Sequence, residues 1–234
     1  MGHFRVPDWQ GGYRYISFGD NLIGIKRDRP VPILMTYDPH RREMPTKSNF
    51  MVLGRLLLSI RTEFSREYFH QMGGKSHRYH RWGIENAALC ASNKLNVRLT
   101  TSPLIDEKGF LLNVKIRNRC EQPLAVKLEA TYGGMGSVQD PRMVTEFSEA
   151  QGDEIVLKDD VVFLTDNTTG QPAVYGAFGS SAPMDFKVID YKSLFDHHAY
   201  EIESPLVRGT AEVGIIPSRT TKDIYFVALF GDSA

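Results

Sequence analysis

The sequence predicts an all-β fold, a large two-sheet antiparallel β-sandwich of supersandwich type with one or two short helical turns. Three observations carry this expectation. Apolar and polar residues alternate with a period of two through many segments. Gly, Pro, Asn and Asp bound those segments, and helix signals are scarce. About a dozen strands result, too many for a small immunoglobulin domain, and a twisted open sheet of that size tends to split into two packed layers.

In chain order, strands are expected at 13–18 and 22–26, joined across Gly19-Asp20-Asn21, a composition that suits a hairpin turn. A strand at 31–37 follows, and residues 39–49 read as an exposed loop because their Arg, Lys, Pro and Ser lack periodicity. Residues 51–62 resume the apolar pattern. The clearest hairpin joins 95–102 to 110–118 through Asp106-Glu107-Lys108-Gly109. Leu95, Val97, Leu99 and Leu112, Val114, Ile116 mark its buried face, with Asn96, Arg98, Asn113 and Lys115 on the wet one. Residues 124–132 repeat the alternation, so the three strands in succession suggest a meander. Later strands are expected at 154–157, 161–165, 173–178, 186–190, 210–216 and 223–230. Helical turns are placed near 140–149 and 191–199, where the apolar spacing is neither two nor clearly helical.

The 234 residues, 41% hydrophobic and 24% charged, are read as one β-sandwich domain over 1–234 with enough apolar material for a sizeable core. Lys plus Arg and Asp plus Glu balance at 28 each, so no global field attracts a polyanion, and nucleic acid is not expected as a partner. No apolar run is long enough to form a membrane span. The start Met1-Gly2-His3-Phe4-Arg5 lacks the apolar core of a signal peptide and has the look of a trimmed terminus. Two cysteines, Cys90 and Cys120, are too few for a disulfide scaffold, and one bridge between them is an open alternative.

The densest group of chemistry-bearing residues is His70, His77 and His80 with Arg78, Tyr79, Arg81 and Trp82. In an extended segment, alternation puts His77, Tyr79 and Arg81 on one face and Arg78, His80 and Trp82 on the other, which splits the histidines. No metal site and no cofactor are therefore expected. A pyranose offers an apolar C–H face to an aromatic ring and hydroxyls to directional donors, so Tyr79, Arg81 and Trp82 are the candidate carbohydrate-binding residues. The competing expectation is that these aromatics pack in the core or cover an edge. Hydrolysis of a glycosidic bond uses two facing carboxyl groups. Asp140, Glu146, Asp159, Asp160 and Asp196 lie in expected loops, where carboxylates are ordinarily just solvated, and none is given a catalytic role. Asp196-His197-His198 has no nucleophile motif near it, and Asn167-Thr168-Thr169 matches a glycosylation acceptor pattern that is common by chance. In Thr131-Tyr132-Gly133-Gly134-Met135-Gly136 the glycines permit positive φ and close approach, and the expected outcome is a bend leaving the sheet.

Several of these segments together are similar to a known family. Gly54-Arg55-Leu56, the stretch 79–84, Asp106-Glu107-Lys108-Gly109-Phe110-Leu111-Leu112, Ala130-Thr131-Tyr132-Gly133-Gly134-Met135-Gly136, Tyr175-Gly176 and Glu203-Ser204-Pro205-Leu206 resemble, in that order, an uncharacterised N-terminal β-sandwich domain family. That family caps large secreted bacterial proteins expected to be glycoside hydrolases. The resemblance implies a non-catalytic sandwich that packs on a C-terminal catalytic domain of the same protein and contributes to carbohydrate recognition, in a parent that is secreted or periplasmic. It carries over no catalytic residue. After Gly134 the family leads one to expect a longer polar insertion than Ser137-Val138-Gln139-Asp140-Pro141-Arg142. Two alternatives remain beside it: an independent carbohydrate-binding module, and a metal-dependent hydrolase built around His77, His80, His197 and His198.

Overall fold

A strand with one apolar face must bury that face against a second layer, and the described residues form sixteen strands in two layers. A computed structural model describes residues 2–7, 13–18, 33–37, 50–69, 72–80, 83–90, 94–104, 109–138, 153–166, 174–190 and 205–231. The strands are β1 (Gly2–Pro7), β2 (Tyr13–Phe18), β3 (Ile33–Tyr37), β4 (Phe50–Arg61), β5 (Arg66–Tyr68), β6 (Gly73–His80), β7 (Gly83–Cys90) and β8 (Leu95–Pro103). They continue as β9 (Gly109–Asn118), β10 (Leu124–Val138), β11 (Asp153–Lys158), β12 (Val161–Asp166), β13 (Val174–Ser180), β14 (Asp185–Asp190), β15 (Pro205–Ile216) and β16 (Thr221–Gly231).

These form two eight-stranded antiparallel sheets. The first runs β1-β2-β3-β4-β10-β15-β14, with β5 added beside β4, and the second runs β11-β12-β13-β16-β9-β8-β7-β6. The all-β sandwich expected from alternation is therefore the fold. Among the described residues there is no α-helix, and both expected helical turns lie outside them, as does segment 22–26.

The hairpin of β8 and β9 pairs Leu95 with Asn118 through to Pro103 with Phe110, and its predicted inner residues are fully buried. The meander is where the structure departs from expectation. β10 does not pair with β9; it crosses to the first sheet and lies between β4 and β15, while β9 pairs with β16. Alternation requires an apolar neighbour above the strand but says nothing about which strand lies beside it. The glycine run likewise does not leave the sheet. β10 continues through it, Gly133 opposite Arg55 and Met135 opposite Leu53. Gly133 has φ +154°, and a Cβ there would lie 2.6 Å from Leu206 Cδ2, so the close approach is to a side chain of the neighbouring strand.

The layers meet on an aromatic stack. Tyr132 of the first sheet lies on Phe178 of the second at 4.3 Å between ring centroids. Phe226 stacks on the same Phe178 at 5.4 Å, and Phe186 meets it edge-on at 6.5 Å. Burying such rings stabilises the fold by roughly 1.5–3 kcal/mol each. Burial, and then the charge of the buried Asp153, hold the Tyr132 hydroxyl far above the ordinary phenol range.

β11 and β12 close on Asp159-Asp160, with φ of 51° and 62° and Lys158 opposite Val161. Two successive positive φ values match the twist of a two-residue hairpin, so these carboxylates serve a turn. No disulfide joins the buried Cys90 to the half-buried Cys120.

Candidate functional site

Of the three carbohydrate candidates, Arg81 and Trp82 lie outside the described residues, and Tyr79 falls in β6, the last strand of the second sheet. The register sets position 79 opposite Ile84, in a row that continues through Thr101 to Leu112. Position 78 shares a row with Glu85, Thr100 and Asn113, on the sheet's outer face, where Arg78 is exposed. His80 is half-buried at the end of the same strand, while His70, His197 and His198 lie outside the described residues. Among the described residues no three His, Cys, Asp or Glu side chains are grouped as metal ligands.

Two clusters that local patterns did not single out lie on the outer faces of the sheets. On the first sheet, register aligns Tyr68, Ser59, Glu129 and Thr210 across β5, β4, β10 and β15. This face would ordinarily be wet, yet Ser59 is 1%, Thr131 4% and Glu129 8% exposed. Ser59 Oγ donates to Glu129 Oε2 at 3.1 Å, and Arg66 pairs with the same oxygen. Arg66 Nε also donates to Ser59 Oγ at 3.4 Å, and its guanidinium stands 5.0 Å from the centre of the Tyr68 ring. A buried carboxylate is tolerated only when it is paired and hydrogen-bonded, and here it is both. Its named partners are the Arg66 guanidinium and the Ser59 hydroxyl.

The second sheet shows the reverse. Register carries Val156, Phe163, Ala177 and Leu229 side by side across β11, β12, β13 and β16. Val156 is 51%, Phe163 42% and Leu229 39% exposed. The half-buried Val227 and Leu111 continue the apolar surface onto β9. The sequence did carry a signal for this stripe: Ile155-Val156-Leu157, Val161-Val162-Phe163-Leu164 and Phe226-Val227-Ala228-Leu229-Phe230 are continuous apolar runs, the pattern of strands covered on both faces.

No family model and no curated protein matches the chain. Solved structures do share its fold. A human-microbiome protein provisionally assigned as a kojibiose phosphorylase superposes with a TM-score of 0.51 at 10% identity, over 94% of this chain and 29% of that one. A bacterial glucoamylase, crystallised with acarbose, superposes with a TM-score of 0.51 at 9% identity, over 93% of this chain and 32% of the other. At such identities the likeness is one of fold. This chain spans about a third or less of the length of both structures.

The polar group on the first sheet is internally satisfied, and the stripe on the second offers hydrocarbon without a titratable group among its residues.

Proposed function

We propose that this chain is a non-catalytic β-sandwich domain of a larger carbohydrate-active protein, docked on a catalytic domain of the same polypeptide and contributing to carbohydrate recognition. The observation that carries the reading is the stripe Val156, Phe163, Ala177 and Leu229, in strands whose composition suits burial on both faces while one face stays open. Contiguous exposed apolar surface of this kind marks an interface. The shared fold supports the choice of occupant, since in the phosphorylase and the glucoamylase a sandwich-sized portion belongs to a chain about three times as long. Carbohydrate recognition is assigned to Tyr79 of β6 together with Arg81 and Trp82, and the parent protein is read as secreted or periplasmic.

Co-expression of this chain with the remainder of its gene product, followed by size-exclusion chromatography, tests the docking. The two should co-elute, and Phe163→Ser with Leu229→Ser should separate them. Release of reducing sugar by the isolated chain, abolished by one carboxylate substitution, would overturn the non-catalytic reading. Glycan-array binding that Trp82→Ala leaves unchanged would remove the proposed sugar platform.

A further inference from the structure

One end of the sandwich is built where two strand pairs change sheets side by side. β9 of the second sheet leads into β10 of the first, and β15 of the first leads into β16 of the second. Asn118, fully buried, ties these crossings together. Its Nδ2 donates to the carbonyls of Gln122 at 2.8 Å, Ile216 at 3.0 Å and Pro217 at 3.3 Å, and its Oδ1 accepts from Cys120 N at 2.8 Å. Ser218 Oγ adds a bond to Cys120 O at 2.9 Å, and Arg119 N donates to Lys94 O at 3.0 Å, so Lys94, just before β8, joins the same framework.

Beside the framework lies an open cleft of about 560 Å³, within the range of small-molecule sites. Lys94, Arg119 and Arg219 line it, and an adjoining hollow of about 380 Å³ shares all three. Among the described lining residues Glu121, 3.5 Å from Arg219, is the one carboxylate, against the three cations Lys94, Arg119 and Arg219, in a chain whose overall charge is zero. Lys94 and Arg219 hold left-handed backbones, φ 53° and 60°, that tight connections need. Phe64 forms part of the rim at 73% exposure, on a turn shaped by Thr62, whose Oγ1 accepts from Phe64 N at 3.2 Å.

We propose that this cleft binds an acidic saccharide, its carboxylate held by the Arg119 and Arg219 guanidinium groups and its sugar ring laid on Phe64. Guanidinium forks match the two oxygens of a carboxylate, and an exposed aromatic face suits the C–H side of a pyranose. The preference for an anion stands on the cleft alone, whereas the saccharide identity rests on the carbohydrate reading above.

Calorimetric titration of the whole chain with a galacturonate trimer, maltotriose and inorganic phosphate tests the assignment. The acidic trimer should bind more tightly than maltotriose, and raised salt should weaken it. Arg119→Gln with Arg219→Gln should reduce its affinity about tenfold or more, and Phe64→Ala should reduce it as well, with thermal melts confirming that these surface variants fold. Equal binding of maltotriose, binding of phosphate without the trimer, no binding of either anion, or binding indifferent to the two arginines would each overturn the proposal. Failure here leaves the co-elution test of the docking surface untouched, so the two readings fall separately.

Discussion

The outer faces of the two sheets invert the ordinary rule in opposite directions. The first sheet buries charge where water is expected: Glu129, Ser59 and Arg66 hold one another across three strands. The second sheet exposes hydrocarbon where polar residues are expected, along Val156, Phe163 and Leu229. A buried ion pair whose partners satisfy each other has no need of a further partner, while exposed hydrocarbon gains by losing water. That difference is why the proposed docking surface is put on the second sheet, while Glu129, Ser59 and Arg66 of the first link β10, β4 and β5.

The largest effect should come from the core that both faces share. Phe178→Ala removes the ring on which Tyr132, Phe226 and Phe186 converge and should cost about 3–5 kcal/mol in denaturant unfolding. Two separated transitions would show instead that the sheets unfold independently. Next, Glu129→Ala strands Ser59 and Arg66 and should cost about 1–3 kcal/mol, with the part-exposed Arg66 keeping the loss at the lower end. A neutral result would make the first face no more specialised than an ordinary wet one.

High pH probes the seam between the layers. Tyr132 keeps its proton in the folded state while the unfolded chain releases its own from about pH 10. Stability should therefore be complete below that pH and fall above it, by up to about 1.4 kcal/mol per unit while only the unfolded state ionises. Tyr132→Phe should flatten that part of the profile in denaturant midpoints measured from pH 8 to 11. Smallest of all in stability, Phe163→Ser with Leu229→Ser should shift unfolding by about 0.5 kcal/mol or less while lowering apolar-dye binding by the isolated chain. A large destabilisation would mean that the stripe is core rather than interface.

Legibility followed the range of each interaction. The β8–β9 hairpin could be read because alternation, turn composition and pairing all lie within some twenty residues of chain. The partner of β10 could not, since Leu124, Val126 and Leu128 turn an apolar face inward in either sheet. Asn118 read as one more polar residue after a strand, yet it binds carbonyls about a hundred positions away. The cleft residues come from separate turns, and no local spacing links Phe64, Lys94, Arg119 and Arg219.

By itself, then, the sequence determined that the fold is all-β, where most strands run and which side of β8, β9 and β10 turns inward, because these depend on residues one or two positions apart. Tertiary structure alone decided which strands pair, which carboxylate is buried and which loops meet at the corner. Those outcomes depend on contacts between distant segments, where many pairings satisfy the same alternation and only the packed whole selects among them.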